Sequence, residues 1–379
     1  MLIEENGWST DFDVDSLSED QQIRLTHVLD EYLQSLELGV PFDEEQACRD
    51  EPVLLNAVRV YLAKLQSLYG VHAENDSSIP QTLGEFTLIR EIGRGGMGIV
   101  YEATQAGMQR RVALKLLPMA ATLDARQIVR FQNESRAAGS LNHPNIVPVH
   151  SVGEADGVHF YAMQLIDGVS VEQVIADRRD RAGWPVEQPF GLASDDQPPH
   201  DPSPSTSDAS HWRVVLGWAI DVAQALHNAH ETGVVHRDVK PSNLMLDRNG
   251  KIWITDFGLA RCQSEGSLTR SGDLVGTMRY MSPEQATGKS ALVDGRTDVY
   301  SLAATIYECL ALVPAHAGEN GPAILNSIDR AEITPLGRRC AGIPRDLETV
   351  IAKALSKSRD DRYETALAFA DDLNRVLND

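Results

Sequence analysis

Residues 234–246 read VVHRDVKPSNLML, two apolar runs around His236, Arg237, Asp238, Lys240 and Asn243. An acid, two bases and an amide so close together suit a loop whose side chains converge on a reacting group. Asp238 is of the type that accepts or orients a hydroxyl proton. Lys240 can neutralise charge that develops on a transferring phosphoryl group. Asn243, five residues after Asp238, and Asp256, in the run KIWITDFGLAR at 251–261, are hard oxygen ligands of the kind Mg2+ takes alongside phosphates and water. The plain alternative is a polar turn between two strands, and the rest of the chain has to separate the two.

The elements around this stretch favour chemistry. IGRGGMGIVY at 92–101 places Gly93, Gly95 and Gly98 in a G-x-G-x-x-G pattern. A dinucleotide-binding turn of that pattern opens a helix, whereas this one lies between the β-like runs FTLIREIG and GIVYEATQ. A glycine hairpin suits a flap whose backbone N–H groups close over phosphates without Cβ clashes. In VALK, residues 112–115, Lys115 shares a strand face with apolar neighbours, so its ammonium needs a partner. Glu134, on a predicted amphipathic helix with Phe131, Ala138 and Leu141, is the candidate. A flap, a lysine, a helix glutamate, a His-Arg-Asp loop and an Asp-Phe-Gly stretch, in that order, are hard to obtain by chance.

In these motifs the sequence resembles the eukaryotic-like (Hanks-type) serine/threonine protein kinases, especially bacterial ones, over residues 86 to about 377. The resemblance implies an α+β fold of two lobes, with ATP between them: an antiparallel N-lobe sheet with one helix over about 86–165, and a mainly helical C-lobe over about 166–377. It implies that Gly93, Gly95 and Gly98 cover the ATP phosphates, that Ile92 and Val100 touch the adenine, and that Arg94, Gly96, Met97, Ile99 and Ala113 also belong to the nucleotide site. Lys115 would bind the α and β phosphates and pair with Glu134. Asp238 would be the catalytic base, Lys240 would contact the γ-phosphate, and Asn243 and Asp256 would hold Mg2+, with Mn2+ the alternative metal. YAMQLIDG resembles the hinge, with Met163 as gatekeeper and Gln164 and Leu165 along the adenine edge. GTMRYMSPEQ resembles the substrate-binding end of the activation segment, in which Ser282 replaces the usual Ala. Asp298 would brace the catalytic loop, and Glu284 would pair with Arg362. Lys240-Pro241 and Thr277 are the serine/threonine forms. Arg237 would grip a phosphorylated activation segment, with Thr269 and Ser271, then Ser267 and Ser264, as autophosphorylation candidates.

Outside the kinase-like region, residues 1–71 are expected to form an acidic helical extension. Leu25, Val28, Leu29, Tyr32, Leu33 and Leu36 make one helical stripe, with Ser16 and Glu19 at capping-box spacing. Val53, Leu54, Ala57, Val58, Tyr61, Leu62, Leu65 and Tyr69 make a second. This hairpin is expected to dock a partner, to dimerise, or simply to pack as an extension. Residues 72–85 read as a linker. Residues 178–211, rich in Pro, Ser and Asp, cannot bury enough surface to offset ordering and read as a mobile insert ahead of a helix starting at Trp212.

Composition sets the remaining bounds. A formal net charge of −21 argues against a nucleic-acid or anionic-membrane partner, and residues 1–80 hold 17 Asp+Glu against 4 Lys+Arg. Cys48, Cys262, Cys309 and Cys340 form no Cys-x-x-Cys pair, which suits a reducing compartment. Cys262 is a redox-switch candidate or a spectator. No signal peptide is visible, and the longest apolar stretch, 299–313, reads as a buried helix too short to span a bilayer. A cytoplasmic protein acting on protein substrates is expected. Three functions compete: an active protein kinase, a non-catalytic scaffold, and a kinase-fold enzyme for small molecules. Retention of Lys115, Asp238, Asn243 and Asp256 opposes the second, and the peptide platform implied by GTMRYMSPEQ opposes the third.

Overall fold

The structure, a computed structural model, describes residues 17, 18, 21, 24, 25, 27–29, 31, 32, 35, 40–69, 82–95, 98–117, 135, 137–155, 158–180, 208–257, 276–318, 320–340 and 342–378. The chain divides into two compact units: 1–132 with 152–162, and 133–151 with 163–379. The helix end and loop at 135–148 therefore belong with the second unit, although the sequence reading placed them in an N-lobe running to 165.

The first unit has two separate cores. One belongs to the extension, where Leu25, Val28, Leu29, Tyr32, Leu54, Ala57, Val58 and Leu62 are buried together with Leu17 and Cys48. Ser16 and Glu19, like Leu33 and Leu36, lie outside the described residues. Ser18 N–H donates to Gln21 Oε1 at 3.0 Å and Gln21 N–H donates to Ser18 Oγ at 3.3 Å, a reciprocal capping box. A short helix α1 (Glu44–Ala47) is capped by Asp43, and α2 spans Leu54–Tyr69. Val53 precedes α2 and is 63% exposed, so it is not part of the buried stripe.

The second core lies on a six-stranded sheet ordered β1-β2-β3-β4-β6-β5. Its strands are β1 (Thr82–Leu83), β2 (Phe86–Gly95), β3 (Gly98–Gln105), β4 (Arg110–Leu116), β5 (Val149–Ala155) and β6 (Val158–Gln164). Leu83 is buried in this core beside Phe86, so the sheet begins inside the stretch read as linker. β2 and β3 pair down to Gly95 opposite Gly98; Gly96 and Met97 lie outside the described residues.

The second unit is helical around a small sheet, β7 (Gly168–Ser170), β8 (Leu244–Asp247) and β9 (Ile252–Ile254), in that order. A Cβ on Gly168 would sit 1.9 Å from the Leu246 carbonyl oxygen, so only glycine lets β7 approach β8. The helices are α3 (Val171–Asp180), α4 (Asp208–Glu231), α5 (Pro283–Ala286), α6 (Gly295–Ala311), α7 (Gly321–Arg330), α8 (Arg345–Ala354) and α9 (Ala366–Asn378). α6 is buried along most of its length, as the 299–313 stretch predicts. The insert is shorter than the sequence suggests: α3 runs through Arg178, Arg179 and Asp180, and α4 starts at Asp208, four residues before Trp212. Residues 181–207 lie outside the described residues. No helix among the described residues is long and apolar enough to cross a membrane.

One ion pair ties the later helices together. Arg362 Nη1 and Nη2 donate to Glu284 Oε1 and Oε2 at 2.8 and 2.9 Å, in the pairing the sequence suggested. Thr297 Oγ1 donates to Glu284 Oε1 at 2.7 Å, and Arg362 Nε donates to the Ser356 carbonyl at 2.8 Å. Burial alone would push the Glu284 carboxyl up, but the hydrogen bonds and charge of Arg362, with the Thr297 hydroxyl, hold it below the usual range. A lowered folded-state value means the stabilisation is complete above the ordinary glutamate value of 4.5 and is lost as pH falls through the lowered one. Glu284→Gln should therefore cost about 3 kcal/mol at neutral pH, because it leaves Arg362 buried without its counterion. In urea titrations at a series of pH values the deficit should shrink in acid; a deficit independent of pH would contradict this account of the pair.

Candidate active site

The β8–β9 hairpin explains how residues far apart in sequence reach one place. Leu244 pairs with Ile254, so Asn243, just before β8, and Thr255, just after β9, lie side by side. Thr255 N–H donates to the Asn243 carbonyl at 3.0 Å. Asp256 follows in a left-handed conformation, with φ of 61°, which is uncommon for a residue with a side chain. The strand stops at Ile254, two residues before Asp256.

On the other side of Asn243, the loop 234–240 is held by Asp298 from the first turn of α6. His236 N–H donates to Asp298 Oδ2 at 2.8 Å, and Arg237 N–H donates to Oδ1 at 2.7 Å. His230, at the end of α4, places Nε2 2.7 Å from Oδ2. Asp298 is wholly buried. Burial would raise its carboxyl, but His230, by hydrogen bond and charge, and the loop amides hold it below the usual range. The approach of His230 depends on Gly295, where a Cβ would lie 2.6 Å from the imidazole Nδ1. Arg237 is thereby kept at φ of 69°, and its carbonyl accepts from Gln285 Nε2 at 2.7 Å. His236 Nδ1 accepts from Asp238 N–H at 3.3 Å, while Nε2 lies 2.9 Å from the Thr255 carbonyl and donates to it. The His236 ring also packs on Phe257, with centroids 4.6 Å apart.

The result is a fixed carboxylate. Asp238 is 6% exposed. Its Oδ2 accepts from Asn243 Nδ2 and Lys240 Nζ, both at 3.0 Å. Asn243 Nδ2 also donates to the Asp238 carbonyl at 2.7 Å. Lys240 Nζ donates to Thr277 Oγ1 at 2.9 Å, which links the loop to the segment before α5. With Oδ2 doubly engaged, Oδ1 is the oxygen able to take a proton. Because the Asn243 amide nitrogen is committed, its carbonyl oxygen is the atom available to a cation. That oxygen and the carboxylate of Asp256, two residues past β9, are of the type a hard divalent metal takes.

Of the residues the sequence singled out, Asp238, Lys240 and Asn243 converge, and the hairpin carries Asp256 to the same end. In the first unit Lys115 is 4% exposed and opposite Val100, with Ala113 buried opposite Glu102. Gly93 pairs with Val100, Arg94 with Ile99, and Gly95 with Gly98. Ile99 is buried and Ile92 is 37% exposed. Arg94 is held by Glu91 through Nε at 2.9 Å and Nη2 at 2.6 Å. Met163 is buried in β6, Gln164 N–H donates to the Pro148 carbonyl at 3.0 Å, and Leu165 is partly buried. Glu134, Gly258, Cys262, Ser264, Ser267, Thr269 and Ser271 lie outside the described residues. Sequence reasoning missed His230, Gln285 and the Thr255 carbonyl. His230 lies 68 residues from its partner, so no local spacing signals it.

The bracing has a direct readout. Asp298→Asn keeps the size of the side chain but removes its charge. Amide exchange over 234–238 should speed up by about tenfold or more, given that a hydrogen bond to a charged group is worth about 1.5–3 kcal/mol, while the interior of α6 keeps its protection. Unchanged exchange in the loop would show that Asp298 does not hold it.

Comparison with known proteins agrees with this geometry. Residues 86–372 match the family model described as protein kinase domain. The chain is 34% identical over 304 residues to the serine/threonine-protein kinase PknB of Mycolicibacterium smegmatis, a match covering 78% of this chain and 44% of that protein. It is 33% identical over 304 residues to PknH of Mycobacterium tuberculosis, covering 80% and 44%. It therefore spans less than half the length of these curated relatives. Among solved structures, the PknI kinase domain of Mycobacterium tuberculosis superposes with a TM-score of 0.57 at 29% identity, over 80% of this chain and all of that one. The braced carboxylate, its lysine and amide partners, and the family match over residues 86–372 place this chain in the protein kinase family.

Proposed function

We propose that this chain transfers the γ-phosphoryl group of ATP to serine or threonine hydroxyls of proteins. The observation that carries the reading is the state of Asp238, whose Oδ2 is held by Lys240 and Asn243, so that Oδ1 is presented to an incoming hydroxyl. Asp238 Oδ1 accepts the hydroxyl proton as the oxygen attacks the γ-phosphorus. The new P–O bond forms as the bond to the ADP oxygen breaks. Lys240 offsets the negative charge on the group in transfer, and Thr277 keeps its ammonium in place. Lys115 takes the α and β phosphates. Asn243 and Asp256 hold Mg2+, which when bound neutralises phosphate charge. Positioning and electrostatic stabilisation supply nearly all of the acceleration in such a transfer, which accounts for so many charged groups in a loop with so little exposure.

Self-activation fits the same site. Arg237 has its N–H on Asp298 and its carbonyl on Gln285, so its backbone is a fixed base from which the guanidinium can bind a phosphate on Thr269 or Ser271. The names of the relatives, as serine/threonine kinases, support the choice of acceptor. With purified chain, Mg2+ and γ-labelled ATP, label should enter protein substrates and Thr269 or Ser271. Asp238→Asn should cut the rate about 10³-fold while nucleotide binding persists. Label transfer equal to that of the unsubstituted chain would exclude Asp238 as the base. ATP binding without transfer by the unsubstituted chain would favour a scaffold.

A further inference from the structure

The segment 277–282, between the loop partner Thr277 and α5, carries four polar side chains: Thr277, Arg279, Tyr280 and Ser282. Three are engaged inside the second unit. Thr277 Oγ1 accepts from Lys240. Tyr280 Oη donates to Glu308 Oε2 at 2.5 Å. Ser282 caps α5 through a capping box with Gln285. Arg279 differs: it is partly buried, its Nε–H is buried without a hydrogen-bond acceptor, and no Asp or Glu among the described residues is within ion-pair distance of it. Leaving a buried guanidinium donor unpaired is costly, and the neighbours show that this segment otherwise satisfies its polar groups.

We propose that Arg279 takes its counterion from the polypeptide acceptor, reading an Asp or Glu carboxylate close to the serine or threonine that is phosphorylated. The proposal rests on the kinase reading above and names a substrate class for it. Arg279 is two residues beyond Thr277, so their Cα atoms are at most about 7–8 Å apart, and Thr277 is joined through Lys240 to the carboxylate that receives the acceptor proton. A polypeptide that delivers its hydroxyl to Asp238 passes within reach of a side chain as long as arginine. The planar guanidinium fork matches a carboxylate with two parallel hydrogen bonds. A phosphate on this chain's own activation segment offers the same anionic chemistry, and the test separates the two sources.

The test uses the full chain and serine peptides that differ only by Glu, Gln or Lys at each position flanking the acceptor, with phosphorylation of the enzyme followed by mass spectrometry. The unsubstituted chain should prefer Glu over Gln at one position by about tenfold in kcat/KM, as expected for one charge-assisted pair. Arg279→Gln should remove that preference through KM, Arg279→Lys should keep part of it, and Arg279→Glu should turn it towards Lys. The reversal is a gain that a misfolded variant cannot mimic. Arg213→Gln, an arginine stacked on Trp212 at the start of α4, should leave the preference unchanged. No Glu preference in the unsubstituted chain, or one that survives in Arg279→Glu, overturns the proposal. So does an Arg279→Gln effect that is equal for all peptides and disappears after phosphatase treatment, which would assign Arg279 to the chain's own phosphate. If the unsubstituted chain turns over no peptide at all, the kinase reading itself fails and this proposal with it.

Discussion

A single buried carboxylate, Asp298, sets the geometry on which the rest of the second unit depends. It sits in the first turn of the buried helix α6 and accepts from two backbone N–H groups of the loop 234–240. Those two contacts hold Arg237 in a left-handed conformation that its side chain disfavours. They also aim the next residue, Asp238, at Lys240 and Asn243. The carboxylate needs His230 to remain charged at full burial, and His230 fits only because residue 295 is glycine. Each of these requirements is small alone, and together they define one loop conformation.

The same logic governs the cost of the site. Several charged or amide side chains lie within a few ångströms of each other at low exposure, which would be destabilising if any were unpaired. The Asp238, Lys240, Asn243 and Thr277 groups instead satisfy one another, and the hairpin β8–β9 supplies the framework through Leu244 opposite Ile254. Farther out, Glu284 and Arg362 repeat the solution on a larger scale, joining α5 to the segment before α9. Rigid elements hold the chemistry; the loop itself has little freedom. Arg279 stands outside this economy, which is why its unmet donor points to a group that arrives from elsewhere.

Much of this was legible in the sequence. Asp238, Lys240, Asn243 and Asp256 could be named because a short spacing carries their chemistry, and the glycine flap because its strands read as strands. Periodicity exposed α2 of the extension and the burial of α6. What the sequence could not show depends on contacts between distant residues. His230 and Gly295 matter only because α4 and α6 meet. The first strand, Thr82–Leu83, was hidden in a polar stretch because only Leu83 is buried. The Asp- and Ser-rich insert masked the helical residues Asp208 to His211, since composition there opposes burial even where the backbone continues into α4.

The central claim is that Asp298 acts by positioning the loop rather than by touching nucleotide or acceptor. Single-turnover phosphoryl transfer by Asp298→Asn, measured beside nucleotide affinity, tests it most directly. The account predicts a transfer rate lower by about a hundredfold, as a misplaced catalytic group would give, with nucleotide affinity unchanged. A full transfer rate in the variant, or a loss that appears wholly as weaker nucleotide binding, would contradict it.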